Sequence, residues 1–126
     1  FKMGNSELVL KVQQMHESII KKDYKSAGSF LADNIEFYLE DGSTITGKEN
    51  CMKFMEEAYS AVELEDYNVA VNLAVTGNNG DEWVLLWDNG SVKTSDGTST
   101  AINWMESFQF ENGKIIMMNQ FSKPRN

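Results

Sequence analysis

The stretch INWMESFQFENGKIIMMNQF, residues 102–121, decides the fold. Its first half alternates: Trp104, Glu106, Phe108 and Phe110 fall on one face of an extended chain, and Asn103, Met105, Ser107 and Gln109 on the other. Glu111-Asn112-Gly113-Lys114 supplies turn residues and Ile115 to Phe121 continues as a second strand, so an antiparallel hairpin is predicted. Glu106 is its informative residue, because it interrupts an aromatic face. A carboxylate placed there must find a partner, keep its proton, or line a cavity that water or a ligand enters, since bare burial of the charge is too costly. The bland alternative is a twist or bulge that lets Glu106 reach solvent at the sheet margin.

Upstream, two more strands are predicted. Tyr67, Val69, Val71, Leu73 and Val75 alternate with smaller or polar residues up to Gly77-Asn78-Asn79-Gly80. The partner strand runs from Glu82 to Asp88, with Trp83, Leu85 and Trp87 on one face and Val84, Leu86 and Asp88 on the other. Asn89-Gly90 then reads as a turn that sends Asp88 to solvent, and Ser95-Asp96-Gly97 closes a polar stretch. The first half of the chain is helical in period. Ser6 reads as the N-cap of an amphipathic helix over 7–22, a short helix fits 24–31, and Ala32-Asp33-Asn34 reads as a turn. Ile35, Phe37 and Leu39 mark a strand ending at Asp41-Gly42, and a third helix runs from about Lys48 to Val62. Helix, helix, strand, helix and then four strands joined by hairpin turns make an α+β arrangement, with a mostly antiparallel sheet and helices on one face. If the sheet curls round the long helix, it leaves a conical hollow of the kind small ligands use.

Composition narrows the function. The 126 residues suit one domain, 1–126, with no linker, repeat or low-complexity tract. A formal net charge of -8 and scattered lysines argue against nucleic acid or an anionic membrane as partner, since both require a basic surface. One cysteine, Cys51, permits no internal disulfide, and one histidine, His16, leaves too few soft ligands for zinc or iron, so neither metal nor cofactor is expected. Cys51 lies on the apolar stripe of the third helix and reads as core. No membrane-length apolar run or signal peptide is evident, so a soluble chain is expected, cytoplasmic being favoured and a removed leader left open.

The sequence resembles the nuclear transport factor two-like superfamily, the cone-shaped fold of SnoaL-like polyketide cyclases and ketosteroid isomerase. The resemblance spans nearly the whole chain. It is carried by Phe30-Leu31-Ala32-Asp33-Asn34-Ile35-Glu36-Phe37, by Asp41-Gly42 followed by Gly47-Lys48-Glu49, and by Phe108 through Ile115. It implies a curved sheet wrapped round the N-terminal helices. It also implies that Glu106, two residues before Phe108-Gln109-Phe110, is a pocket acid, as in the isomerase. The isomerase base falls on Leu39 or on Asp41, depending on the residues aligned, and its helix tyrosine falls on Met15, next to His16. A steroid-isomerase mechanism without modification is therefore not expected, nor is the Asp-Arg-Asp water activation of limonene epoxide hydrolase, because the body of the chain has no Arg.

These readings nominate Glu106, Asp41 and His16 as catalytic residues and Trp87, Trp104, Tyr24, Tyr59, Phe108 and Asn119 as ligand-binding ones. The matching chemistry is cofactor-independent proton transfer beside a carbonyl, in an isomerase or cyclase acting on a small hydrophobic or aromatic molecule. The alternatives are a cone that binds without turnover, with Glu106 anchoring one polar group, and a cone filled by its own side chains. Apolar residues on both faces of the last strands, Met105, Ile116 and Met118 among them, predict a homodimer in every case.

Overall fold

The computed structural model describes residues 2–125. In chain order the elements are β1 (Lys2–Met3), α1 (Glu7–Ile20), α2 (Tyr24–Gly28), β2 (Leu31–Tyr38), β3 (Thr44–Thr46), α3 (Lys48–Tyr59), β4 (Glu63–Thr76), β5 (Glu82–Lys93), β6 (Ser99–Glu111) and β7 (Lys114–Pro124). The strands make one seven-stranded sheet in the order β1-β4-β5-β6-β7-β2-β3. Among the described residues only the β2–β7 pairing is parallel. This is the expected α+β arrangement, a curved and unclosed sheet with helices on its inner face. No helix among the described residues is long and apolar enough to cross a membrane.

Periodicity accounts for the core. From α1 come Leu8, Val12 and Met15, from α3 Cys51 and Met55, and from the sheet Ile35, Phe37, Val84, Leu86, Phe108, Phe110 and Ile115, all buried in one cluster. Burying each large side chain contributes roughly 1.5–3 kcal/mol before the entropy of ordering is subtracted. The helix ends differ from expectation. Ser6 makes no side-chain cap; Asn5 Oδ1 accepts the Glu7 N–H at 2.9 Å instead, while Asp23 caps α2 by accepting from the Ser26 N–H.

Four local expectations are corrected. Ala32-Asp33-Asn34 belongs to β2 and forms no turn: pairing steps from Leu31↔Ile115 to Glu36↔Met117, which loops the intervening β2 residues out of the ladder. The third helix stops at Tyr59, short of Val62. In β4 the single alternation from Tyr67 to Val75 is broken by a register shift between Val69 and Val71, which leaves Val71 exposed and puts Ala74 in the core. Asn89-Gly90 is not a turn. It continues β5, opposite Asn103 and Ile102, and the chain reverses instead around Ser95-Asp96-Gly97, where Gly97 has a φ of +88°.

That last correction positions the site. Opposite Gly90, β4 bulges between Glu65 and Asn68, with Asp66 at a φ of +53°. A Cβ on Gly90 would stand 3.1 Å from the Glu65 carbonyl oxygen and 3.4 Å from Tyr67 Cα. Glycine is there for close backbone approach, and the bulge it admits turns Tyr67 toward the concave side.

Candidate functional site

Four strands and one helix bring the site together. On β6 the alternation holds, so Glu106 faces inward with Phe108 and Phe110 and is only 6% exposed. Gln120 of β7 lies directly across from it, and its Nε2 donates to Glu106 Oε1 at 3.2 Å. On β5 Asp88 follows Val84 and Leu86 on the same inner face, directly across from Trp104, and is 4% exposed. Glu106 is across from Leu86, so the two acids occupy diagonal positions on neighbouring strands, within reach of each other.

His16 comes from α1, one residue beyond the buried Met15. Its Nδ1 lies 2.9 Å from the Val12 carbonyl, which fixes that nitrogen as a donor. Its Nε2 lies 3.3 Å from Glu106 Oε2 and 4.0 Å from Asp88 Oδ2. The ring stacks on Tyr67, with centroids 5.8 Å apart, and meets Phe108 edge-on. Tyr67 in turn donates its hydroxyl to Asp88 Oδ2 at 2.5 Å. Asp88 Oδ1 is buried without a hydrogen-bond partner.

Proton affinities follow from these contacts. Burial alone would lower the His16 pKa, but the Glu106 carboxylate, the Val12 carbonyl and Asp88 override it and lift the imidazole to about 9. Burial would raise Glu106; His16, Asp88 and Gln120 hold it below its ordinary value. Asp88 goes the other way, to about 8, because burial and the neighbouring Glu106 outweigh Tyr67 and His16. Near neutral pH the group is therefore an imidazolium, one carboxylate and one carboxylic acid. Tyr59, buried near the same acids, is pushed up to about 12 and stays protonated. A metal ion would find one donor atom each on His16, Asp88 and Glu106, all within 4.8 Å of one another, and to bind there it would have to displace the proton His16 shares with Glu106.

The network lies against a cavity of about 50 Å³, walled by Met15, Phe37, Leu39, Phe54, Tyr59, Leu64, Tyr67, Trp104 and Met118 as well as by the polar residues. That is room for ordered water; anything of drug size needs the ring side chains to move. Among the described residues no Lys or Arg lines it.

The nominated residues divide. Glu106, His16, Tyr59 and Trp104 meet at the cavity, and Phe108 lies beneath the His16 ring. Asp41 does not reach it: it sits exposed in the turn after β2, where its Oδ1 accepts from the Ser43 N–H and hydroxyl, the ordinary chemistry of an Asp before Gly. Leu39, the other aligned position for the base, does line the wall. Trp87 is on the outer face, 49% exposed, because strand alternation opposes it to Asp88. Asn119 is likewise on the face opposite Met118 and Gln120. Tyr24 lines a separate outer groove beside α3, its hydroxyl buried without a partner.

Three members were missed: Asp88, Tyr67 and Gln120. Asp88 carries the signal that singled out Glu106, an acid on an apolar alternating face, but Asn89-Gly90 suggested a turn that would send it to solvent. Tyr67 is aimed by a bulge, and Gln120 is identified only by its register against Glu106.

Three solved structures show the same fold at identities too low to carry function. An LEH-like epoxide hydrolase from M. tuberculosis superposes with a TM-score of 0.78 at 14% identity, covering 94% of this chain and 84% of its own. A provisionally assigned isomerase from Bacillus subtilis gives 0.79 at 13%, covering 94% and 87%. A provisionally assigned polyketide cyclase from Pseudomonas putida KT2440 gives 0.67 at 15%, covering 88% and 87%. No curated protein matches in sequence. The model of the SnoaL-like domain matches residues 12–118, from the carbonyl that holds His16 to the cavity wall on β7, and the chain therefore belongs to the SnoaL-like domain family.

Proposed function

We propose that the protein is a cofactor-independent enzyme that takes a small hydrophobic molecule into the cone and moves a proton beside a carbonyl, as an isomerase or cyclase. The observation that carries this is one cavity holding two buried carboxyl groups whose proton affinities are driven apart. Such a split supplies a base and an acid at the same pH. Glu106, ionised beside His16, is the base that removes a proton from the substrate α-carbon. Asp88 is the carboxylic acid that donates to the carbonyl oxygen as the enol forms. His16 keeps Glu106 ionised and oriented, and Tyr67 orients Asp88 by donating its hydroxyl to Oδ2. A non-catalytic pocket is the competing reading, and it predicts binding without proton exchange.

The test is the conversion of 3-cyclohexenone to its conjugated isomer, followed by ultraviolet absorbance, with solvent-deuterium exchange at the α-carbon by NMR as a wider screen of cyclic ketones. Glu106→Gln should lower the rate by roughly 10²–10⁴, and Asp41→Asn should leave it unchanged. Wild-type rates no faster than those of Glu106→Gln across the ketones would sink the enzyme reading.

A second reaction has its own support. His16 stands between the two acids as a cation, at 3.3 and 4.0 Å, and the cavity has room for ordered water. Glu106 would accept a proton from that water while Asp88 gives one to an epoxide oxygen, a C–O bond forming as the ring C–O bond breaks. The missing Arg does not exclude this, since His16 supplies the bridging charge. Diol formation from cyclohexene oxide separates the two reactions.

The outer face supports the homodimer. Val71, Trp87, Met105 and Phe121 are directly opposite one another across β4, β5, β6 and β7, and are 42%, 49%, 52% and 59% exposed. A second copy laid on this face would cover a continuous apolar row.

A further inference from the structure

The cavity has more acid than base. Among its lining residues His16 is the only cationic side chain, against Asp88 and Glu106, and His16 is already committed to Glu106 at 3.3 Å. Asp88 is the surplus acid. Tyr67 satisfies its Oδ2, but Oδ1 is buried and accepts from no donor; near neutral pH the carboxyl's own proton is shared toward Glu106. Once ionised, that buried oxygen is left without a hydrogen bond until a donor reaches it. Two rings frame that oxygen's residue: Trp104 is directly opposite Asp88 on β6, Tyr67 is bonded to it, and the two ring centroids are 6.4 Å apart. Electron-rich ring faces beside a carboxyl group, with no lysine or arginine to compete, suit a positive charge.

We infer that the cavity selects hydrophobic amines, the ligand's ammonium group docking at Asp88 Oδ1 between Trp104 and Tyr67. This rests on the proposed pocket but not on turnover: an amine would occupy the site as a ligand or inhibitor even if the isomerase reading failed. The ammonium supplies both the N–H donor that Oδ1 lacks and the charge that Glu106 receives from His16. Binding has a proton balance. Asp88 holds a proton near neutral pH, so docking R–NH₃⁺ converts its carboxylic acid to carboxylate and releases that proton to solvent, while the amine keeps its own. The other titratable groups facing Asp88 do not change state at pH 7, since His16 and the phenols of Tyr59 and Tyr67 stay protonated and Glu106 stays ionised. The protein's net charge of -8 favours the approach of cations and disfavours anions.

Three compounds of nearly one shape test this: 2-phenylethylamine, 2-phenylethanol and phenylacetate, titrated at pH 7 against intrinsic tryptophan fluorescence. The amine should bind at least ten-fold more tightly than the alcohol, and phenylacetate should bind least. Calorimetry in two buffers of different ionisation enthalpy should show close to one proton released per amine and none per alcohol. Asp88→Asn, which keeps the side-chain shape, should abolish both the preference and the release. Equal affinity for amine and alcohol, or amine binding without proton release, overturns the inference and leaves the pocket standing. If none of the three binds, the pocket reading falls and the amine inference with it.

Discussion

His16 Nε2 and Glu106 Oε2, separated by 90 residues in sequence, lie 3.3 Å apart and tie the long helix to the middle of β6. The pair makes stability depend on pH. His16 has its folded pKa raised from 6.5 to about 9, so its contribution is complete below pH 6.5 and lost as pH rises through 9. Glu106 has its folded pKa lowered from 4.5, so its contribution is present above that value and lost as pH falls through the folded pKa. Asp88 is raised from 3.8 to about 8, and it costs stability increasingly between those values as the fold resists its ionisation. The three together place maximal stability on the acid side of neutrality. Urea unfolding should show ΔG falling by a few kcal/mol, to order of magnitude, from pH 6 to 9. A flat profile over that range would mean that the pair is not formed.

Glu106→Gln should bring the His16 pKa down below its free value of 6.5, because burial remains and the main opposing charge is gone. The imidazole C–H resonances followed by NMR against pH report this directly. A titration still centred near 9 would assign the shift to Asp88 instead.

Asp88→Asn should be harmless or stabilising at high pH, because it removes a carboxyl that the fold must ionise at a cost. At pH 5 its unfolding free energy should match wild type to within about 1 kcal/mol, and at pH 9 it should exceed it. Activity should go the other way, falling at both pH values. Stability and catalysis moving in opposite directions is what a residue kept for function would show.

How much of this was legible in the sequence depended on range. Glu106 could be read from nine consecutive residues, because strand alternation is a local property and β6 keeps it. The α+β order was equally local, each helix and strand declaring its own period. Asp88 carried the same alternation signal and was lost to a dipeptide: Asn89-Gly90 has turn chemistry, but its conformation is set by the β4 bulge packed against Gly90, some two dozen residues upstream. Tyr67 and Gln120 depended on register between strands, which no single segment encodes. Asp41 failed for the converse reason. Its local signal, Asp before Gly, was satisfied locally by Ser43, and nothing distant recruited it.

The outer row gives an independent prediction about assembly. Trp87→Arg puts a charge at its centre, between Val71 and Met105. Sedimentation velocity should show a dimer for wild type and a monomer for the variant. The variant's circular dichroism should be unchanged, since Trp87 is half exposed and not part of the buried core. A variant that remains a dimer would move the interface elsewhere.

Gly90→Ala tests the link from backbone to chemistry. The added methyl would start 3.1 Å from the Glu65 carbonyl and 3.4 Å from Tyr67 Cα, both main-chain atoms that cannot rotate away. Either the β4 bulge shifts or the two strands part. The cost should be about 1–3 kcal/mol, as for overpacking elsewhere. The more telling effect is at Asp88. Displacing Tyr67 weakens the hydroxyl bond that holds the Asp88 pKa down, so the alkaline limb of any pH–rate profile should move to higher pH than in wild type. Tyr67→Phe, which removes that bond without disturbing the backbone, should move the limb the same way with a smaller loss of stability. If Tyr67→Phe leaves the limb in place while Gly90→Ala moves it, the backbone governs Asp88 by another route and Tyr67 loses its positioning role.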